Sequence, residues 1–456
     1  MNRIIIVVTL LLLVSCSKNS IVSSPIVANN TDTVQQYGTP FTGVPDSRDA
    51  VIYQVNTRCF SATRNFQGVI NRLDSIKALG VNVIYLMPIY PVGTLKAFDS
   101  PYCIKDNEAV GSEFGTLADL RNLVAGAHSR GMTVILDWIT DGTSWDCPWI
   151  NNKSWYVQDA NGNIQSPNGY TDIAELNYQN QTMRLAMIKA MKYWVLTANI
   201  DGFRCDYADF APADFWVQAN DTLKAISPTH KYLMLAEGTR AANYASGFDY
   251  NFGFNFYGTL KSIYSNDQSV NLIDALNTSD YIGATTDQNQ IVRYLTNHDV
   301  NSSDGTPITL FGGINGSMAA FIVVAYMKGV PFIYNGQEVA TSVPMTFPFT
   351  STTINWTINP GVTAVYKKVI AFRNSSAAIR RGTLTSYSSY DVCAFTKTLS
   401  PDTVFVIDNL RNATINYTIP TALANSTWSD VFTGNSVTLS TQVTLQPYSY
   451  MVLENK

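Results

Sequence analysis

Gly202-Phe203-Arg204-Cys205-Asp206 is a short run that is apolar except for one arginine, and it closes on an acid. A short run without alternation reads as a strand buried on both faces, as in a parallel sheet. Arg204 and Asp206 are two residues apart, so on a strand they share a face. The design recurs on either side. Thr133-Val134-Ile135-Leu136 closes on Asp137, Tyr232-Leu233-Met234-Leu235-Ala236 closes on Glu237, and the run 291–295 leads into Asp299. Further runs at 51–55, 83–87, 248–254 and 330–334 bring the count to eight. Helical patterns at 66–79, 117–128, 182–198 and 318–327 lie between them. Alternation alone also permits a doubly wound sheet. The count of eight and the acids at the run ends favour an α/β fold of the (β/α)8 TIM-barrel type. From residue 377 the pattern changes. Segments 403–407, 413–419, 436–439 and 448–453 alternate or are β-branched, which predicts a C-terminal antiparallel β-sandwich domain.

Composition narrows the function. Apolar residues make up 46% of the 456, enough for a large core, while charged residues are only 14% and the net charge is −4. That balance excludes disorder, a coiled coil and an electrostatic nucleic-acid binder. With 25 Tyr and 8 Trp, the surface suits an uncharged ligand such as a sugar better than a phosphate. The three His, at 128, 230 and 298, are dispersed and no Cys-x-x-Cys occurs, so a structural zinc site is not expected.

The N-terminus reads as an address. Arg3 precedes the apolar run 4–14, which is too short to cross a bilayer and fits a signal-peptide core. It ends in Leu13-Val14-Ser15-Cys16, which resembles a bacterial lipobox. The expectation is a signal peptide over 1–16, lipidation at Cys16, and a bacterial cell-envelope protein anchored to membrane, facing the periplasm or the cell surface. Residues 17–46 read as a flexible tether. Five Cys remain, at 59, 103, 147, 205 and 393, an odd number that cannot pair completely. Cys205 is expected to be a buried thiol. Cys103 and Cys147 both fall in loops and are candidates to pair.

Active sites of eight-stranded barrels sit at the C-terminal ends of the strands. Any one strand-end acid is ordinarily a cap or a loop carboxylate. Asp137, Asp206, Glu237 and Asp299 on one rim, with Arg204 placed to hold Asp206 ionised, are a different matter. One ionised and one protonated carboxyl are what glycoside hydrolysis requires.

At this point the sequence resembles a known family. The stretch 79–91, from Leu79-Gly80-Val81 to Ile89-Tyr90-Pro91, is followed by Phe114-Gly115-Thr116 and by the segment 131–137 ending at Asp137. Then come 202–206, Ala236-Glu237, Thr296-Asn297-His298-Asp299 and the segment 333–338, ending in Gly336-Gln337-Glu338. Together and in this order they resemble the motifs of the α-amylase family, glycoside hydrolase family 13, over about 48–375. The resemblance implies a catalytic barrel over 47–375 with an inserted subdomain near 138–180, and a C-terminal domain over 376–456. It implies Asp206 as nucleophile, Glu237 as general acid and base, and Asp299 as the third, transition-state-stabilising carboxylate. Asp137, Arg204, His298 and Tyr102 would bind at the cleavage subsite, with Tyr102 stacking on the sugar. The implied activity is retaining hydrolysis of α-glucosidic bonds in starch-like α-glucans by a monomer. Transglycosylation, or glucan binding without catalysis, are the alternatives.

One motif departs from the family. After Asp137 the segment runs Trp138-Ile139-Thr140-Asp141-Gly142, with Asp141 where the family has Asn and Gly142 where it has His. The Asn usually serves a calcium site, so Asp141 and Asp172 are candidate calcium ligands. Gly142 cannot replace an imidazole; water, Thr143 or Ser144 is expected to meet the sugar instead. Trp138 is expected in the core, and one or two of Trp145, Trp149 and Trp155 in the cleft.

Overall fold

Eight parallel strands close into a barrel, each paired with the next and the eighth with the first. They are Ile52–Val55, Val83–Leu86, Thr133–Ile139, Gly202–Asp206, Leu233–Ala236, Tyr250–Phe252, Gln290–Tyr294 and Val330–Tyr334. The computed structural model describes residues 34–167 and 169–455; the expected signal peptide over 1–16 and the expected lipidation at Cys16 lie outside them. The expected TIM barrel is therefore present. The third strand runs on past the expected 136 to Ile139, because Trp138 is itself fully buried, edge-on to Tyr90 and Phe203. Register aligns the acids. Asp137 pairs with Arg204, Ile139 with Asp206, and Cys205 with Ala236, so the ends of strands three, four and five come level.

Local signals set the helix ends. Leu117–His128 starts at a capping box in which Thr116 and Asp119 bond reciprocally. Gln181–Ala198 starts on the Asn180 side chain and stops at Asn199, which takes a left-handed conformation with φ 57°. The pattern 66–79 is two helices, Phe66–Ile70 and Leu73–Ala78, broken where Arg72 lies over the Trp356 ring. Gly313–Tyr326 starts ahead of the expected 318; its stretch from Gly316 onward is wholly buried.

After the third strand, Gly142–Ser144 pairs antiparallel with Ile173–Glu175, and two short 3-10 turns lie between them. This is the inserted segment. Cys103 and Cys147 do not pair. Both are free and buried, and the Cys103 thiol donates to the Asp172 carbonyl. Cys205 is a buried thiol, as expected.

The C-terminal part is a six-stranded antiparallel sheet with a separate two-stranded sheet against it. Thr383–Ser386, Val392–Leu399, Thr427–Asp430 and Gln442–Leu445 are strands that the sequence pattern did not disclose. Alternation along Val392–Leu399 and Asp402–Asn409 serves two cores. Cys393, Phe395, Val404 and Val406 join the barrel core, while Ala394, Phe405 and Ile407 join a second core with Tyr417 and Leu445 of the small sheet. At about 1.5–3 kcal/mol per buried large side chain, both faces contribute to holding the sheet in place.

Candidate active site

The level strand ends surround a cavity of about 720 Å³ whose lining includes Tyr102, Asp141, Asp206, Glu237, His298 and Asp299. Beneath it, Arg204 is fully buried. Its Nη1 donates to Asp137 Oδ1 at 2.7 Å and to Asp206 Oδ1 at 2.6 Å, and its Nη2 contacts Glu237 Oε1 at 2.7 Å. One guanidinium thus gathers three carboxylates from strands three, four and five. Asp206 and Glu237 are each about one-sixth exposed, and Asp299 is 58% exposed.

Backbone geometry fixes Glu237 further. Its N–H donates to the Cys205 carbonyl, and its Oε2 accepts from the N–H of Tyr207 at 2.8 Å. Tyr207 holds φ at 47°, a left-handed conformation that costs a non-glycine residue on the order of 1–3 kcal/mol. That turn is what aims its N–H at the carboxylate. Thr140 holds the same strand end by donating to the Asp206 carbonyl.

A second chain of contacts orients His298. Gln54 Nε2 meets its Nδ1 at 2.8 Å, and its Nε2 meets the Tyr102 hydroxyl at 2.7 Å. The Tyr102 hydroxyl donates to Asp137 Oδ2 at 3.0 Å, so it accepts from His298 Nε2–H. Nδ1 is then left to accept from Gln54, and the tautomer is set. Burial and the positive charge of Arg204 hold His298 down to about 4, so the ring is neutral near pH 7. The Tyr102 ring stacks on His298 at 5.4 Å.

Arg204 favours the charged form of Asp206, as expected, but burial works against it. Burial pushes the Asp206 carboxyl well above the ordinary range; Arg204 opposes this, while Glu237, Asp137 and Asp141 add to it. Asp137 is also raised by burial. It has no exposed surface, so it lies behind Tyr102 and Tyr85 instead of meeting the sugar. Arg204 likewise acts through the carboxylates it holds.

The departure at Asp141 and Gly142 has a physical cause. A Cβ on Gly142 would lie 2.8 Å from the Ala174 carbonyl oxygen and 3.1 Å from Ile173, so no imidazole fits on this backbone. Thr143 and Ser144 do not take its place, because both are buried. The Thr143 hydroxyl bonds to Tyr156 and that of Ser144 to Asp146. Asp141 itself lines the cavity, and burial, with Glu237, Asp172 and Glu175 nearby, raises it to about 7. Calcium asks for six to eight oxygens. Among the described residues no three His, Cys, Asp or Glu side chains come together as a ligand set, and Asp141 and Asp172 both open to the cavity. Residues that sequence reasoning passed over are Gln54, Tyr85 and Tyr207. Gln54 and Tyr85 carry polar atoms inside apolar runs, which was the available signal.

A closed parallel barrel with clustered carboxylates at its strand ends, open to a sugar-sized cavity, defines a glycoside hydrolase. Comparison with known proteins makes this specific. The family described as "Alpha amylase, catalytic domain" matches residues 54–163 and 150–350, and the chain belongs to it. Alpha-amylase 3 of Dictyoglomus thermophilum is 23% identical, over 90% of this chain and 94% of that protein. An oligo-1,6-glucosidase of Parageobacillus thermoglucosidasius is 28% identical over 35% of this chain and 34% of its own length. An α-amylase structure from Lactobacillus plantarum superposes with a TM-score of 0.81 at 25% identity, covering 90% of this chain and all of that one. The fold is shared by an α-amylase from Geobacillus thermoleovorans complexed with acarbose, with a TM-score of 0.76, 22% identity, and coverage of 90% and 99%.

Proposed function

We propose that the protein cleaves α-glucosidic bonds in starch-like α-glucans with retention, through a covalent glycosyl-enzyme. The observation that carries this reading is the placement of Asp206 and Glu237 on the two Nη atoms of one arginine, facing a common cavity that Asp299 also lines. Retention asks for two carboxyl groups about 5–5.5 Å apart. In the reaction the ionised form of Asp206, which Arg204 favours, attacks the anomeric carbon while Glu237 gives its proton to the leaving oxygen. Glu237 then takes a proton from the water that releases the sugar from Asp206. Asp299 accepts hydrogen bonds from sugar hydroxyls, which tighten as positive charge develops on the ring. His298, neutral and with Nε2–H as its donor, and the Tyr102 ring complete the wall of that subsite. Asp141 meets the sugar where the family's His would.

Glu237→Gln keeps the shape of the site and removes the proton donor. Release of reducing ends from amylose is expected to fall by about 10²–10⁴. A variant that matches the parent rate would take Glu237 out of this role. Product analysis on the same substrate separates hydrolysis from transfer to a second sugar. We further propose that Cys16 carries a lipid anchor to the cell envelope. Cys16→Ser is expected to move the protein from membrane to soluble fractions, and continued membrane retention would contradict the anchor.

A further inference from the structure

The tryptophans of the inserted segment do not line the catalytic cavity. Lys96 covers the Trp145 ring at 3.4 Å, and the Trp145 indole N–H donates to the Thr171 carbonyl. Trp149 and Trp155 do something else. They meet edge to face at 5.2 Å, half-buried, and together line a second cavity of about 490 Å³. That volume falls within the ~300–1,000 Å³ typical of small-ligand sites. Cys147 and Pro148, the loop at 105–108 and the helix Gln181–Ala198 supply the rest of its wall.

Asn107 forms part of the floor. It lines this cavity, is only 6% exposed, and its Nδ2 has no hydrogen-bond partner. Its own carbonyl accepts from the buried Trp194 indole at 2.7 Å, so the residue is held in place. The Nδ2 atom is itself buried behind the cavity wall, so Asn107 shapes the site from beneath. The charged groups of the lining are Lys105, Asp106, Glu108 and Lys189, two of each sign. A balanced rim selects neither a phosphate nor a cation. Indole surface and a mixed polar rim suit a neutral polyhydroxyl ring with one apolar face.

We propose that this cavity is a second saccharide site, distinct from the catalytic cavity, which takes one or two glucosyl residues of a neutral α-glucan. It rests on the α-glucan reading of the enzyme and extends it: the site anchors a polymer whose free segment enters the catalytic cavity. Short substrates gain nothing from it.

The test uses the full chain and its Trp149→Ala variant. Adsorption to starch granules and titration with maltoheptaose are compared with kcat/KM on a soluble chromogenic maltotrioside. Trp149→Ala is expected to weaken adsorption about tenfold, ~1.4 kcal/mol, with kcat/KM on the maltotrioside unchanged. Trp149→Tyr is expected to recover part of the adsorption. Unchanged adsorption in Trp149→Ala, or a parent that does not adsorb, overturns the proposal. If Trp149→Ala also loses maltotrioside activity, Trp149→Tyr decides: recovered activity without recovered adsorption overturns it. The two readings fail differently. A parent that adsorbs through Trp149 but releases no reducing ends refutes hydrolysis and keeps the site. A parent that releases them with adsorption indifferent to Trp149 refutes the site and keeps hydrolysis.

Discussion

Asp141 is an acid where the family carries an amide, and its environment makes it titrate in a useful range. Its ordinary value is 3.8; in the fold, burial, reinforced by Glu237, Asp172 and Glu175, raises it to about 7. Between those values the native state binds more protons than the unfolded chain, so stability falls as pH rises across that window. His298 acts in the opposite sense. Held down to about 4 from 6.5, it makes stability rise with pH between those two values. Asp141→Asn removes the first effect and leaves the second. The variant is expected to melt above the parent at pH 8, and the difference should shrink towards pH 4. A melting difference independent of pH would show that Asp141 does not titrate across this window. The same residue shows how little of the site's electrostatics a motif conveys. The substitution was visible in the sequence, but whether Asp141 faced a metal or the cavity depended on contacts with residues far along the chain.

Gly142 belongs to the scale of the element, because what excludes a side chain there is the paired strand Ile173–Glu175. With the Ala174 carbonyl 2.8 Å from any Cβ, Gly142→His has to push the two strands apart. Expected results are a lower kcat on α-glucans and a lower melting temperature; a rise in kcat would show that the two strands part to admit the ring. Elements of this kind mark where sequence reading stops. The barrel strands were legible because burial on both faces leaves a continuous apolar run, and the acids were legible because each ends such a run. The sixth strand, Tyr250–Phe252, was faint at three residues. Thr383–Ser386 has no buried residue and therefore no hydrophobic pattern to read. Tyr85 and Gln54 look like strand residues until folding brings them to Asp137 and His298, respectively. The Trp cluster was conspicuous, but which indoles faced which cavity was set by Lys96, Thr171 and Thr182.

Across the whole molecule, the barrel and the C-terminal sheet share one apolar core, and Arg411 fastens them at its edge. Its Nη1 donates to the Ile263 carbonyl at 2.7 Å, its Nη2 to those of Gln268 at 2.6 Å and Tyr390 at 3.0 Å, and its Nε to Asp391 at 3.0 Å. Ile263 lies on the barrel helix Phe254–Ser265, whereas Asp391 and Arg411 flank the paired sheet strands Val392–Leu399 and Asp402–Asn409. Because Phe395, Val404, Val406 and Val452 are buried against the barrel, peeling the sheet away would expose both surfaces at once. The two parts should therefore unfold together. Calorimetry on the parent is expected to show one transition. Arg411→Ala leaves those three carbonyls without their donor, and a hydrogen bond to a charged group contributes about 1.5–3 kcal/mol, while the ion pair with Asp391, which is about a third exposed, is screened by solvent and adds less. The variant's single transition should move down as a whole, while kcat/KM at a temperature well below it stays at the parent value, since Arg411 lies outside the catalytic cavity. Two separate transitions, with only one shifted by Arg411→Ala, would show instead that the sheet folds independently and that the shared core contributes little to the barrel.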